Sequence, residues 1–247
     1  RKMCSEFPYE FIIQGSIMTS ISLKNISHVY KNEYIEEKVL DDINLDLEEG
    51  KMYCLIGPSG SGKSTLLNIV GGLLTPTKGN VIIDTEDITK FNEKELAELR
   101  ITKIGYIFQN YNLIPFLNVR DNILLQLRIA KRDISKMMDK YRKLIEKLEL
   151  TNKEDAYVNQ LSGGQQQRVA IARCLIMEPS IILADEPTGN LDFENTQKFI
   201  KLVQSIMADV NSTFIIVTHD ERLCNYCDTT IRIENHKIEL TPGMRKY

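Results

Sequence analysis

The stretch Met52-Tyr53-Cys54-Leu55-Ile56 runs straight into Gly57-Pro58-Ser59-Gly60-Ser61-Gly62-Lys63-Ser64-Thr65. Five apolar residues in a row, closed by a glycine, read as a short buried strand. The next nine fit G-x-x-x-x-G-K-[ST], and Ser64 to Leu74 reads as a helix. Strand, glycine loop and helix in that order are the context a phosphate-binding loop requires. The glycines let backbone N–H groups turn inward on an anion. The helix behind them offers its positive end to the same anion. Lys63 then neutralises phosphate charge, and the Ser64 hydroxyl is a ligand for Mg²⁺. A flexible glycine-serine loop with no ligand is the bland alternative, and both flanks speak against it.

The rest of the chain alternates around this segment. Ile21–Tyr30 and Val39–Leu47 read as an antiparallel strand pair, and Val81–Asp84 and Ile104–Phe108 as further strands. Glu93–Arg100 reads as a helix between the last two. From about Asn118 to Gln160 no strand pattern appears. Ile134, Met137, Met138, Tyr141, Leu144, Ile145 and Leu148 recur at helical steps instead, so the spacing predicts a helical insertion, bounded at about 110–177. Alternation resumes with helix 165–177, strand Ile181–Ala184, helix Glu194–Ala208 and strand Thr213–Thr218. Buried apolar runs separated by helices argue for an α/β fold with a mostly parallel sheet. Thr229–Leu240 alternates on both sides of Asn235-His236 and predicts a hairpin. Residues 1–17 read as a leader foreign to the fold: Gln14-Gly15-Ser16 resembles the scar of a tag-cleavage site, and Met18 suits an initiator. Residues 18–247 are then expected to form one domain.

Composition narrows the class. The 247 residues carry 31 Lys+Arg and 34 Asp+Glu, a net charge of −3, and 43% are apolar. That excludes overall disorder and disfavours a nucleic-acid partner. No apolar run approaches the ~20 residues that span a bilayer, so a membrane role is expected to come through a partner. The five cysteines, Cys4, Cys54, Cys174, Cys224 and Cys227, are an odd count and suggest a reducing compartment. Cys224-x-x-Cys227 has no second pair with which to complete a zinc site, and ordinary packing is expected of it.

Further chemistry sits where strands end. Ile181–Ala184 runs into Asp185-Glu186, and in parallel sheets ligands bind beyond strand carboxyl ends. Neighbouring residues point apart, so Asp185 reaches Mg²⁺ while Glu186 faces the γ-phosphate side, where a carboxylate can orient and deprotonate water. Ser162 stands where an N-cap would, with Gly163, Gly164 and Gln165 opening the helix behind it. That is a second anion site in a chain with one phosphate loop, which points to a nucleotide held by another copy; a plain cap weighs equally on physics alone. His219 follows Thr213–Thr218 and Gln109 follows Ile104–Phe108, both at carboxyl ends. Tyr30 ends the first strand, placed to stack on a base. Each of these three is a weak signal alone.

Together they resemble the ATP-binding cassette ATPases of ABC transporters, over nearly everything from Ile21 onward. The match rests on the phosphate loop, Gln109, Leu161-Ser162-Gly163-Gly164-Gln165, Asp185-Glu186, Asn190-Leu191-Asp192 and His219, in the family's order. The resemblance implies ATP and Mg²⁺ as cofactors. It implies Tyr30 as the adenine stacker and Glu186 as catalytic base, with His219 sensing the γ-phosphate and Asp192 in a loop linking the two sites of a dimer. Metal contacts are implied for Ser64, Gln109 and Asp185. Two stretches, 183–192 and 108–115, are similar to the branch of macrolide exporters, lipoprotein-release, antimicrobial-peptide-resistance and cell-division ATPases. That branch implies a head-to-tail homodimer in the ATP-bound state, driving a separate integral membrane subunit from the cytoplasmic face. A nucleic-acid-linked or regulatory ATPase is the alternative. Against it, Ser64 and Ser162 are 98 residues apart, too close for a coiled-coil insertion. Tyr111, Leu113, Ile114, Phe116 and Leu117 follow Gln109, and the resemblance implies that this segment borders a groove for the membrane subunit. At least one of Leu113, Phe116 and Leu117 is therefore expected to be exposed.

Overall fold

The computed structural model describes residues 19–31, 36–189 and 193–243. Thirteen-residue strands β1 (Thr19–Lys31) and β2 (Glu36–Glu48) pair antiparallel. Then follow β3 (Met52–Ile56), α1 (Lys63–Val70), β4 (Lys78–Ile83), β5 (Glu86–Asp87), α2 (Glu93–Thr102) and β6 (Ile104–Phe108). Helices α3 (Val119–Ile129), α4 (Ile134–Lys147) and α5 (Gly163–Leu175) come next, then β7 (Ile181–Asp185), α6 (Phe193–Val210), β8 (Thr213–Val217), β9 (Thr229–Glu234) and β10 (Lys237–Pro242). One sheet has the order β2-β1-β4-β5; the other runs β10-β9-β3-β8-β7-β6. In the second sheet all neighbours are parallel except β9 and β10. The α/β architecture with an antiparallel N-terminal sheet is the one the alternation predicts.

β3 is central, with every residue buried. Successive side chains of a strand point to opposite faces. Met52, Cys54 and Ile56 accordingly join the core formed with α3–α6, while Tyr53 and Leu55 join the core under α1, α2 and the first sheet. Between β6 and β7 the chain is helical, apart from a single bridge, Asn118 to Tyr157. Tyr141, Ile145 and Leu148 of the predicted stripe are buried, and Ile134, Met137, Met138 and Leu144 pack against them. Side-chain caps start these helices: Asn118 for α3, Asp133 for α4, and for α5 a capping box of Ser162 and Gln165.

Several element boundaries shift from the sequence reading by one to four residues, as β2 and β4 do by starting three residues early, and two helices show a physical reason. Helix α1 stops at Val70 rather than Leu74. Gly72 takes φ +62°, and Leu73 N–H donates to the Asn68 carbonyl at 2.9 Å, a glycine-type helix stop. Gly71 has no room for a side chain either, because a Cβ there would lie 1.4 Å from the Tyr106 hydroxyl. Helix α5 begins at Gly163, so the glycine pair forms its first turn instead of preceding it, and it ends at Leu175. The predicted hairpin is present. Asn235 and His236, both at positive φ, make its turn, which suits the twist of flanking strands.

The segment after Gln109 is held by two side chains with no periodic signature. Asn122 on α3 is fully buried. Its amide donates to the carbonyls of Ile114, Leu117 and Asn118 at 3.0–3.1 Å, and its Oδ1 accepts from Ile114 N–H at 2.8 Å. Arg173 on α5 donates to the carbonyls of Asn112 (2.5 Å) and Tyr111 (2.7 Å). Asn122→Ala takes the partner from Ile114 N–H and from the Leu117 carbonyl, whereas the Ile114 and Asn118 carbonyls keep backbone donors in Leu117 N–H and Asn122 N–H. At ~1–3 kcal/mol per unsatisfied buried group, partly relieved by water, a loss of about 2 kcal/mol is expected in urea denaturation.

Candidate functional site

The phosphate loop closes on itself as the glycine spacing requires. Gly62, at φ +100°, precedes α1 in the left-handed region and supplies no side-chain cap. The first N–H groups of the helix are thus left for an anion. The Lys63 side chain folds back over the loop, donating to the carbonyls of Gly57 (3.0 Å) and Pro58 (2.8 Å). Burial pushes its ammonium below the usual lysine range, and the carboxylates of Glu186 and Asp185 pull the other way. The Ser61 hydroxyl is buried and has no hydrogen-bond partner within the protein. A phosphate seated in the loop would give that orphan oxygen a partner, so the residues present fit the expected anion.

At the mouth of the loop the Ser64 hydroxyl donates to Asp185 Oδ1 at 3.3 Å. One hydroxyl and one carboxylate, both hard oxygen donors, fit the protein's share of a Mg²⁺ site whose other ligands are water and phosphate. Among the described residues no group of three or more His, Cys, Asp or Glu is placed to hold a metal alone. Burial pushes the Asp185 carboxyl above the usual range; the Ser64 bond opposes this and the Glu186 charge adds to it. Glu186 sits at φ +45°, uncommon outside glycine, and its N–H donates to the Val217 carbonyl at 2.9 Å. That turn aims its carboxylate at His219, with Nε2 and Oε1 2.7 Å apart.

An open cleft of about 320 Å³ is lined by Tyr30, the loop from Ser59 to Thr65, Glu186 and His219. Glu37 and Val39 of β2 also line it, and nothing in their sequence context marked them. Tyr30 is 47% exposed, its hydroxyl 3.2 Å from Thr65 Oγ1 and its ring edge-on to His28. Gln109 stands beside this cleft rather than in its wall: a Cβ at Gly189 would lie 2.9 Å from Gln109 Nε2. Ser162, Gly163, Gly164 and Gln165 do not line the cleft of their own chain. Ser162 N–H donates to Gln165 Oε1 (2.9 Å) and Gln165 N–H returns to Ser162 Oγ (3.3 Å). Two residues further, the Gln167 side chain donates to the Pro187 carbonyl at 2.7 Å, joining α5 to the turn after Glu186. A run of three glutamines had concealed this contact. Asp192, with Asn190 and Leu191, lies outside the described residues. Phe116, in the segment after Gln109, is 78% exposed, as expected there.

The geometry fixes a sign for Asp185. Its carboxyl is held above the ordinary value, so folding favours the protonated form. The associated stability is complete at low pH and is lost as pH rises through the folded-state value. At neutral pH the charge therefore costs stability. Asp185→Asn is expected to raise the thermal midpoint of the nucleotide-free protein while abolishing most turnover; calorimetry and a phosphate-release assay check the two halves.

Comparison with known proteins agrees with this geometry. The family model described as "ABC transporter" matches residues 40–189. The ABC transporter ATP-binding protein YtrE of Bacillus subtilis is 41% identical over 230 residues, covering 92% of this chain and 96% of that protein. The bacitracin export ATP-binding protein BceA of Halalkalibacterium halodurans is 37% identical over 221 residues, 90% of this chain and 87% of that one. Among solved structures, MJ0796 of Methanocaldococcus jannaschii, a dimeric ATP-binding cassette in a post-hydrolysis state with ADP and Pi, aligns with a TM-score of 0.82. It is 37% identical, over 92% of this chain and all of that one.

Proposed function

The chain belongs to the ABC transporter family as an ATP-binding ATPase subunit, and we propose how its own residues divide the work. The observation that carries the reading is the row at the strand ends: Ser64 on Asp185, and Glu186 on His219 2.7 Å away, both at the phosphate loop. Lys63 would exchange its two carbonyl contacts for β- and γ-phosphate oxygens. Ser64 and Asp185 would hold Mg²⁺, with Gln109 alongside; the ion supplies neutralisation of phosphate charge. Glu186 takes the proton of the attacking water as general base, its carboxylate oriented by His219. Tyr30 stacks on the adenine.

Ser162–Gln165 do not line their own cleft, and in this reading they complete the site of a second copy in a head-to-tail dimer. The similarity to a dimeric cassette supports this arrangement. Glu186→Gln removes the base and keeps the phosphate contacts. Turnover is expected to fall by at least ~10²-fold with ATP still bound. Size-exclusion chromatography with ATP should then show a persistent dimer, and adding Ser162→Arg should return it to monomer. Only monomer from Glu186→Gln alone would break the shared-site reading.

No helix among the described residues is long and apolar enough to cross a membrane. Its relatives include ATP-binding proteins of transporters, and on that ground we infer that the chain acts from the cytoplasmic face on a separate integral membrane subunit, for export or for mechanical work. Phe116 marks the contact, standing on a segment that starts at Gln109 and is pinned by Asn122 and Arg173. Phe116→Asp is expected to leave basal turnover and the unfolding midpoint unchanged while abolishing co-purification with that subunit. Retained co-purification places the contact elsewhere.

A further inference from the structure

The Cys54 thiol meets those of Cys224 and Cys227, 170 or more residues further along the chain. Cys54 is the middle residue of β3, three positions before Gly57, and is fully buried. The Cys224 thiol, at 3.3 Å, donates to the Cys54 sulfur. Cys227, also fully buried, interacts with Cys54 as well, and its own thiol donates to the Leu223 carbonyl at 3.5 Å. Cys224 belongs to the short 3-10 helix Glu221–Tyr226, which starts two residues after His219. One side of the cluster is thus the root of the phosphate loop, and the other is the segment carrying the partner of Glu186. Cys224 is partly exposed as a residue and Cys54 is fully buried, so Cys224 is the nearer of the two to solvent. All four cysteines among the described residues are free thiols.

We propose that Cys54 and Cys224 form an oxidant-sensitive disulfide site that slows nucleotide turnover. The oxidant class is a hydroperoxide. The Cys224 thiol, on the less buried of the two residues, is oxidised first, giving Cys224–SOH and one water from hydrogen peroxide. The Cys54 thiol then attacks that sulfur; the S–O bond breaks, the S–S bond forms and a second water leaves. Two thiols lose two electrons in total, and one peroxide becomes two waters. A disulfide bond is about 2.0 Å long, so the sulfurs must close by about 1.3 Å. That movement draws the 3-10 helix against β3, close to Gly57 and His219. Displacements of that size near reacting groups cost up to ~10²-fold in rate.

The thiols are slow to ionise. Cys224 is pushed up by its hydrogen bond to Cys54 and then by burial. The bond from Cys224 favours the Cys54 thiolate, but Cys227 and burial outweigh it and push Cys54 up as well. The thiolate is the nucleophile, so the site stays reduced under mild conditions and records sustained oxidant load.

The test uses the purified full chain treated with hydrogen peroxide, alkylated, and mapped by mass spectrometry without reduction. A cross-linked Cys54–Cys224 peptide is expected, together with at least a fivefold loss of ATP turnover that dithiothreitol restores. Cys224→Ser, at a partly exposed position outside the catalytic row, should keep basal turnover and lose the peroxide effect. Absence of the cross-link, a pairing of Cys224 with Cys227 alone, a cross-link without rate loss, or a sensitive Cys224→Ser each overturn the proposal. The rate loss rests on the hydrolytic reading above and the cross-link does not, so a cross-link in a chain without ATPase activity would instead indict that reading.

Discussion

One lateral row of residues across four parallel strands sets the whole site. Leu55 of β3 lies beside Val217 of β8, Val217 beside Asp185 of β7, and Asp185 beside Phe108 of β6. The ladder runs slightly past the strands, with Thr218 N–H on the Leu55 carbonyl and Glu186 N–H on the Val217 carbonyl. Just beyond this row stand the phosphate loop, His219, Glu186 and Gln109. Strand side chains alternate faces, so a one-residue slip of β7 would exchange Asp185 and Glu186. Ile181 and Leu183 of β7 pack into one core and Ile182 and Ala184 into the other, so such a slip would have to repack both. The row at the strand ends is thereby fixed by packing well below it.

Helix α5 is the second organising element. It begins at the capping box of Ser162, reaches the turn after Glu186 through Gln167, and reaches the segment after Gln109 through Arg173. Truncating a buried guanidinium that holds two carbonyls would leave both unsatisfied, so the helix cannot easily shift without the loops. One helix thus joins the Ser162 cap by hydrogen bonds to the loops behind Glu186 and Gln109, with backbone contacts at both.

Most of the architecture was legible in the sequence because local rules and the global fold agree. The phosphate loop, the apolar run before Asp185, the stripe through Tyr141 and the turn at Asn235-His236 each state their structure within a short window. What escaped was set by distance. That Gly71 has no room for a side chain depends on Tyr106 lying over it, thirty-five residues away. Asn122, Gln167 and Arg173 look like ordinary polar positions on helices until the loops they bind are in place. Cys224 and Cys227 read as a lone pair, because only the parallel pairing of β3 with β8 and β9 brings Cys54 to them. Gln109 was legible as a strand-end residue, but only the fold puts it against Gly189, at the edge of the cleft.

The cleft also holds an electrostatic arrangement that its own residues leave incomplete. Asp185 and Glu186 are adjacent carboxylates, and burial already holds the first above its ordinary range. Lys63 is the cation nearest the loop, and its ammonium is spent on two backbone carbonyls. Ser61 keeps a buried hydroxyl without a partner. A polyphosphate with its divalent cation would answer each of these at once: anionic oxygens for Lys63 and Ser61, and positive charge for Asp185. The charge balance at the strand ends is thereby tied to occupancy of the loop, because among the described residues no group of the cleft itself supplies what Lys63, Ser61 and Asp185 each lack.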